Sequence, residues 1–440
     1  MRLKERDHMA RDSDYKKELS WLYGLQKYGI KFGLSKTSNL LEAFGNPHHG
    51  QKYIHIAGTN GKGSVGAMLE SILMKSGYRV GFYSSPHLAN FTERFRVNRI
   101  FMGQDDASLL IKGLRKVSNK KEPPTFFELT TAMALTHFYK HKTDFAIMEV
   151  GMGGRLDATN IITPMVSIIT NIGLDHKGFL GNTIIDIARE KGGIIKRNID
   201  VVTAATQPYV IKLFESICRQ HSAPFWRVGK DVRYKRLPGG LFAYYGIRDR
   251  FSNLKIGIKG RFQYRNAALA MLALEILKSK GIAIPNEAIK SGINDIMWPG
   301  RVEQVSSDPL IILDGAHNPN AMSSLSRSIR DDFKYDKLIL IIGIMADKDI
   351  SNIIKKIIPM ASIVIFTKPD YYRAEDPYRL METAKKFNKP GEVHFPVSSA
   401  IERAKKLAGK RDLILITGSL FTVGEAESYF DPLNYPPGDI

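Results

Sequence analysis

The residues best suited to chemistry begin with Gly58, Thr59, Asn60, Gly61, Lys62, Gly63 and Ser64. They follow an apolar run, Tyr53 to Ala57, and open a stretch, Ser64 to Ser76, with apolar residues at helical spacing. A glycine-rich turn between a strand and a helix is a phosphate cradle: backbone N–H groups approach the oxygens, Lys62 supplies a point charge, and Ser64 offers its hydroxyl to magnesium. The common nucleotide-binding pattern sets that hydroxyl directly after the lysine, and here Gly63 intervenes. A flexible turn with a chance Gly-Lys pair would explain the composition but not the strand before it and the helix after it.

Further polar residues stand where apolar runs end. Glu149 closes the run from Phe145 and precedes Gly151, Met152, Gly153 and Gly154; an acid at the carboxyl end of a parallel strand faces the crevice where such sheets bind ligands, well placed to hold magnesium. The next run, Val166 to Thr170, leads into Asp175 and His176. Alone, such a histidine reads as structural. Arg301, after Pro299 and Gly300, is an arginine at a break in the chain, suited to stabilising a transferred phosphoryl group if two halves close there. A surface arginine is the plainer alternative.

These positions need a sheet to bring them together. From about residue 53, short apolar strands alternate with amphipathic segments (Ser64 to Ser76, Phe127 to His141, Ile184 to Ile195, Tyr264 to Ser279). That alternation predicts an α/β fold: a P-loop-type, mostly parallel sheet with helices on both faces. Met297, Trp298, Pro299 and Gly300 break the pattern, and a smaller series follows. Its expected strands are Leu310 to Leu313, Lys337 to Ile344, Ser362 to Thr367 and Asp412 to Thr417, with helices near 319 to 332, 350 to 359, 377 to 388 and 398 to 409. Two domains are expected, 1–297 with a helical segment before the phosphate loop, and 298–440, smaller and Rossmann-like.

Composition narrows the partners. A net charge of +20 favours polyanionic company, and the Lys and Arg residues are spread over amphipathic helix faces without aromatic interleaving, which argues against nucleic acid. No apolar run is long enough to span a bilayer and the opening residues lack a secretory signal, so a cytoplasmic protein without membrane attachment is expected. Cys218, the single cysteine, reads as a packed thiol in a helix.

The sequence GTNGKGS, with its displaced serine, resembles the Mur ligase superfamily, and the rest of the chain is similar to its folylpolyglutamate synthase and dihydrofolate synthase branch. The stretch from Glu149 to Asn160 matches that family's EVGLGGRLDATN except at Met152. By resemblance, Ser85 (or, less directly, Ser84) ligates the nucleotide's magnesium from a mobile loop, and Glu149 with His176 holds a second magnesium. Lys191, in Glu190-Lys191-Gly192-Gly193, is the carbamylated lysine, although the family usually reads EKAGI. Carbamylation is chemically reasonable because CO2 adds to a neutral amine and yields an anion that can help position magnesium; an unmodified helix lysine is the alternative.

The resemblance also implies that Gln263 and Asn266 lie near adenine, with Phe262 replacing the usual histidine. Asp314 would bind the ATP ribose, and His317 would face the reaction centre. Phe127, Asp157, Ala158 and Ser419 would contact substrate, Asp157 reading equally well as a loop cap. The implied activity is ATP-dependent addition of L-glutamate to a folate through an acyl phosphate, with dihydropteroate as a further acceptor, by a monomer using ATP and two magnesium ions. Three rivals compete with it: a peptidoglycan-type Mur ligase, for which too little chain precedes the phosphate loop; a P-loop ATPase or kinase without ligase activity; and a basic nucleic-acid-binding protein.

Overall fold

A computed structural model describes residues 2–29 and 33–436. Its largest sheet has eight strands: β1 (Lys52–Ala57), β2 (Val80–Tyr83), β3 (Phe95–Val97), β4 (Ile100–Phe101), β5 (Phe145–Glu149), β6 (Val166–Ile169), β7 (Asp200–Thr203) and β8 (Phe225–Arg227). They lie in the order β4-β3-β2-β5-β1-β6-β7-β8. From β2 to β8 every pairing is parallel, whereas β3 and β4 add an antiparallel edge.

Alternation along the strands sets the two faces. Ile54, Ile56, Phe145 and Ile147 pack with the helices Lys62–Lys75, Gln263–Ser279 and Asn286–Asn294. Tyr53, Ala146 and Met148 point the other way, toward the helices Arg2–Gly24, Ser35–Glu42, Gln104–Val117 and Phe126–Lys140. Each fully buried aliphatic side chain contributes about 1.5 to 3 kcal/mol, so both faces are firmly specified. A third cluster joins Ala57, Val150 and Ile169 to the helices Ile184–Gly192 and Pro208–Gln220.

A separate three-stranded antiparallel sheet, β9 (Arg233–Arg236), β10 (Phe242–Tyr245) and β11 (Arg250–Leu254), was not expected from the sequence. All four residues of β9 are exposed, so no apolar alternation marks it. The last sheet contains β12 (Glu303–Ser307), β13 (Leu310–Asp314), β14 (Leu338–Ile342), β15 (Ile363–Phe366), β16 (Gly391–Val393) and β17 (Leu413–Thr417), ordered β12-β13-β17-β14-β15-β16. It is parallel except for the β12 edge and carries helices on both faces.

Several boundaries differ from expectation. The helix from Ile184 stops at Gly192, with Gly193 as its C-cap, and the helix from Pro377 ends at Ala384, passing into a 3-10 turn. The helical segment before the phosphate loop holds, among the described residues, two α-helices and a 3-10 turn. Cys218 is buried as expected, and burial pushes its thiol up to about 12, which removes it as a nucleophile at neutral pH.

Candidate functional site

The phosphate loop lies between β1 and the helix Lys62–Lys75, whose N-cap Gly61 has a left-handed φ of 87°. A side chain there would also collide with Asn266, since a Cβ on Gly61 would lie 2.7 Å from Asn266 Oδ1. Gly63, the residue that separates Lys62 from Ser64, has a packing reason: a Cβ on it would lie 2.4 Å from Trp298 Cζ2. The displaced serine therefore goes with an indole pressed on the helix start. Thr59 and Asn60 fix the loop against the neighbouring strand end. The Thr59 hydroxyl donates to the Gly173 carbonyl at 3.1 Å, and the Asn60 N–H donates to Asn171 Oδ1 at 3.0 Å.

One cavity of about 370 Å³ is bounded by this loop, by the carboxyl ends of β5 and β6, and by the turn after β13. Lys62, Ser64, Ser85, Glu149, His176, Lys191, Asn266, Arg301, Asp314 and His317 all line it. Gln263 stands just behind, donating to Ser64 Oγ at 3.3 Å and accepting from Asn266 at 2.9 Å. Of the two serines considered for metal, Ser85 faces this cavity and Ser84 a smaller neighbouring one.

Glu149 is buried, and Lys62 Nζ lies 3.6 Å from its carboxylate. Burial raises its pKa, opposed by Lys62, Arg301 and the Ser85 N–H. A buried carboxylate with two hydroxyls and an imidazole on the same wall fits an oxygen-preferring divalent cation, and the residues present therefore suit magnesium. Lys191 is also buried and donates to the Gly58 carbonyl at 3.0 Å. Burial and Lys62 bring its pKa down to about 7, so a substantial fraction is a neutral amine near neutral pH.

On the opposite wall, Asp314 accepts from the Val302 and Ala316 N–H groups at 3.0 and 2.9 Å. Burial raises it to about 6 against the opposing charge of Arg301. Arg301 is held between Asp314 and Glu149, both of which favour its cation. His317 accepts no proton through Nδ1, which lies 2.9 Å from the Gly315 carbonyl and so must donate to it.

Reasoning from sequence did not assign roles to Asp175 and Asn318, yet they join the two walls. Asn318 donates to Asn60 Oδ1 at 2.9 Å and to Asp175 at 3.2 Å, and Asn60 donates back at 3.3 Å. Lys348 lies 3.5 Å from Asp175, with His317 and His176 at 3.9 and 4.0 Å. Burial alone would raise Asp175, but these three neighbours outweigh it and keep the carboxylate ionised. His176 has a left-handed φ of 50°, a conformation that a non-glycine residue adopts at some cost and that clusters at functional sites. Burial holds its pKa below the ordinary value, Lys348, Lys191 and Lys62 adding to that and Asp175 opposing.

Phe127, Asp157, Ala158 and Ser419 do not line the cavity. The Phe127 ring packs on Gly151, where a Cβ would lie 2.3 Å from Cζ. Asp157 is a loop cap, accepting from the Met152 and Thr159 N–H groups at 2.9 and 3.0 Å, and Ala158 is buried beside it. Ser419 caps the helix Leu420–Phe430 by accepting from the Thr422 N–H at 3.0 Å. Glu128, in the segment after Thr125, likewise completes a capping box with that threonine.

The Mur ligase middle domain matches residues 56–274, and the Mur ligase glutamate ligase domain matches residues 300–420. The dihydrofolate synthase/folylpolyglutamate synthase of Bacillus subtilis (strain 168) is 36% identical over 423 residues, covering 93% of this chain and 98% of that protein. A solved Escherichia coli structure in complex with DHPP and ADP is similar with a TM-score of 0.86 and 30% identity, over 95% of this chain and 98% of its own. A bifunctional folylpolyglutamate synthase/dihydrofolate synthase solved with Mn, AMPPNP and L-glutamate bound gives 0.83 and 29%, over 94% and 97%.

Proposed function

The chain belongs to the folylpolyglutamate synthase/dihydrofolate synthase family of Mur ligases and is an ATP-dependent ligase, and from that premise we propose the reaction its cleft performs. The substrate's terminal carboxylate attacks the γ-phosphate of ATP, forming an acyl phosphate and releasing ADP. The amine of L-glutamate then attacks the acyl carbon, expelling phosphate, losing a proton and leaving an amide. The activity is tetrahydrofolate:L-glutamate γ-ligase (ADP-forming), with dihydropteroate as a second acceptor in the dihydrofolate synthase reaction. Water must be kept from the acyl phosphate, which is the purpose of a cleft closed from both sides.

Lys62 and Arg301 supply positive charge where the phosphoryl group passes, and Gly58 to Ser64 orient the triphosphate. Ser64, Ser85, Glu149 and His176 are the residues that would hold magnesium at two sites, neutralising charge that develops in transfer. Lys191, with its depressed pKa, is suited to reaction with CO2, and its carbamate would place an anion at the same wall. Gln263 and Asn266 belong on the adenine side, Asp314 at the ribose, and His317 beside the acyl group. Phe127, Asp157, Ala158 and Ser419 act by holding the loops that meet the folate and glutamate. The chain works as a cytoplasmic monomer of two domains, 1–297 and 298–440.

One observation carries this reading: a phosphate loop from one sheet, and Arg301 and Asp314 at one edge of another, face a single cavity. A kinase or ATPase needs no second wall of this kind. The test is to incubate the protein with ATP, magnesium, labelled glutamate and either tetrahydrofolate or dihydropteroate, and to identify products by mass. A labelled amide with ADP release that requires both acceptor and glutamate is expected. ADP release without amide from either acceptor would remove the ligase reading.

A further inference from the structure

The helices Gln104–Val117 and Phe126–Lys140 bring three metal-binding side chains together away from the cavity. His137 and His141 are one helical turn apart, and their ring centroids are 4.2 Å from each other. Asp106, in the first turn of the neighbouring helix, adds a carboxylate. One ligand atom from each residue lies within 4.8 Å of the others. His137 is buried and Asp106 exposed, so the cluster has a protein side and an open side.

One ring is also oriented by the backbone. His141 Nδ1 lies 3.2 Å from the carbonyl oxygen of His137. A carbonyl only accepts, so Nδ1 carries a proton and Nε2 is the nitrogen left to face a ligand. Orientation through a backbone carbonyl is a common way of holding a metal-bound imidazole.

We propose that Asp106, His137 and His141 bind a divalent transition-metal ion of the zinc type. Two nitrogens and one carboxylate suit zinc, cobalt or nickel, whereas magnesium takes oxygen donors in octahedral geometry. Zinc holds its donors at about 2.0 to 2.2 Å, so the three ligand atoms must close by roughly an ångström, within reach of side-chain rotation, leaving a fourth position for water. The helix that His137 belongs to and His141 caps has 15 residues, and at about 1.5 Å per residue its Phe127 end is roughly 20 Å from His141. The ion is therefore a staple between helices and not a reactant.

The test loads the full chain with Co2+ in excess Mg2+ and records visible ligand-field absorption. One Co2+ per chain is expected, displaced by Zn2+ and retained in Glu149→Gln, which separates this site from the cavity. The bands should vanish in His141→Ala, and Asp106→Asn should lose at least about tenfold in Co2+ affinity. Zinc at about a hundredfold excess over Kd should raise the melting temperature by about 5 °C, a shift that should vanish in His141→Ala and fall to about half in Asp106→Asn. Absence of bands in the unmodified chain, or full-strength bands in both variants, overturns the proposal. Asp106→Asn alters an exposed residue and decides the matter even if His141→Ala fails to fold.

Discussion

Glu149 and Asp314 stand at corresponding places in two sheets, each ending a parallel strand at the rim of one cavity, yet they are held in opposite ways. Asp314 is tied by two backbone N–H groups, Ala316 in its own turn and Val302 at the start of the neighbouring strand, and Arg301 lies beside it. Glu149 has side-chain cations as its main company, Lys62 foremost and Arg301 next, with a single backbone N–H from Ser85. A carboxylate fixed by amides supports the loop around it. One balanced by flexible cations can exchange them for a metal without disturbing the backbone. The larger sheet thus presents its acid for chemistry, and the smaller one uses its acid to build the wall as well.

Substitutions at the two acids should separate these roles. Glu149→Gln should lower kcat/KM about a thousandfold, or about 4 kcal/mol, while unfolding free energy stays within about 1 kcal/mol of the parent. Urea unfolding alongside the mass assay checks both parts. A variant that kept activity and lost stability would reverse the contrast. Asp314→Ala leaves the Val302 and Ala316 N–H groups without their acceptor and removes a counter-charge from Arg301. We expect about 2 to 3 kcal/mol of lost stability together with weaker nucleotide binding, read by urea melts and ADP titration. Unchanged stability would mean that water replaces the carboxylate, and the two acids would then be alike.

Much of this arrangement is legible in the chain because the strands that matter are short, apolar and buried, and each ends in a polar residue. Glu149, Asp314 and the phosphate loop all stand at such ends. The joining residues are harder to see. Asp175 and Asn318 are far apart in sequence, so their contact exists only once two sheets are packed together. The helix Gln104–Val117 carries a readable signal, acids in its first turn and buried Ala107, Leu110, Ile111 and Leu114. β9 had none, since strand pairing and not apolar alternation defines it. Asp157 shows the converse: a residue within a family motif can be occupied with capping its own loop.

Lys191 extends the contrast to a buried cation on the Glu149 wall. Its pKa of about 7 in the folded chain lies below the ordinary 10.5, so between those values the folded state binds fewer protons than the unfolded one. Stability therefore rises with pH across that window, and the destabilisation is fully present below pH 7. In CO2-free buffer, unfolding free energy should increase by roughly 2 kcal/mol from about pH 7.5 to 9, and Lys191→Met should abolish that slope. Equal slopes in parent and variant would show that the amine is already charged or already carbamylated. Added bicarbonate should restore turnover only to the parent.

The smallest effect tests whether the two walls need each other. Asn318 has two jobs, because its carboxamide oxygen caps the helix Pro319–Asp332 through the Ala321 N–H while its nitrogen donates to Asn60 and Asp175. Asn318→Ser keeps a good cap but is too short to reach across, so folding stability should change by only a few tenths of a kcal/mol. Losing the cross-cavity bonds should slow turnover about fivefold, or about 1 kcal/mol, without altering ADP affinity to the same degree. A fall in stability with turnover intact would mean that Asn318 serves the helix alone. The walls would then meet through Lys348 and His317 at Asp175, and through Arg301 beside Glu149 and Asp314.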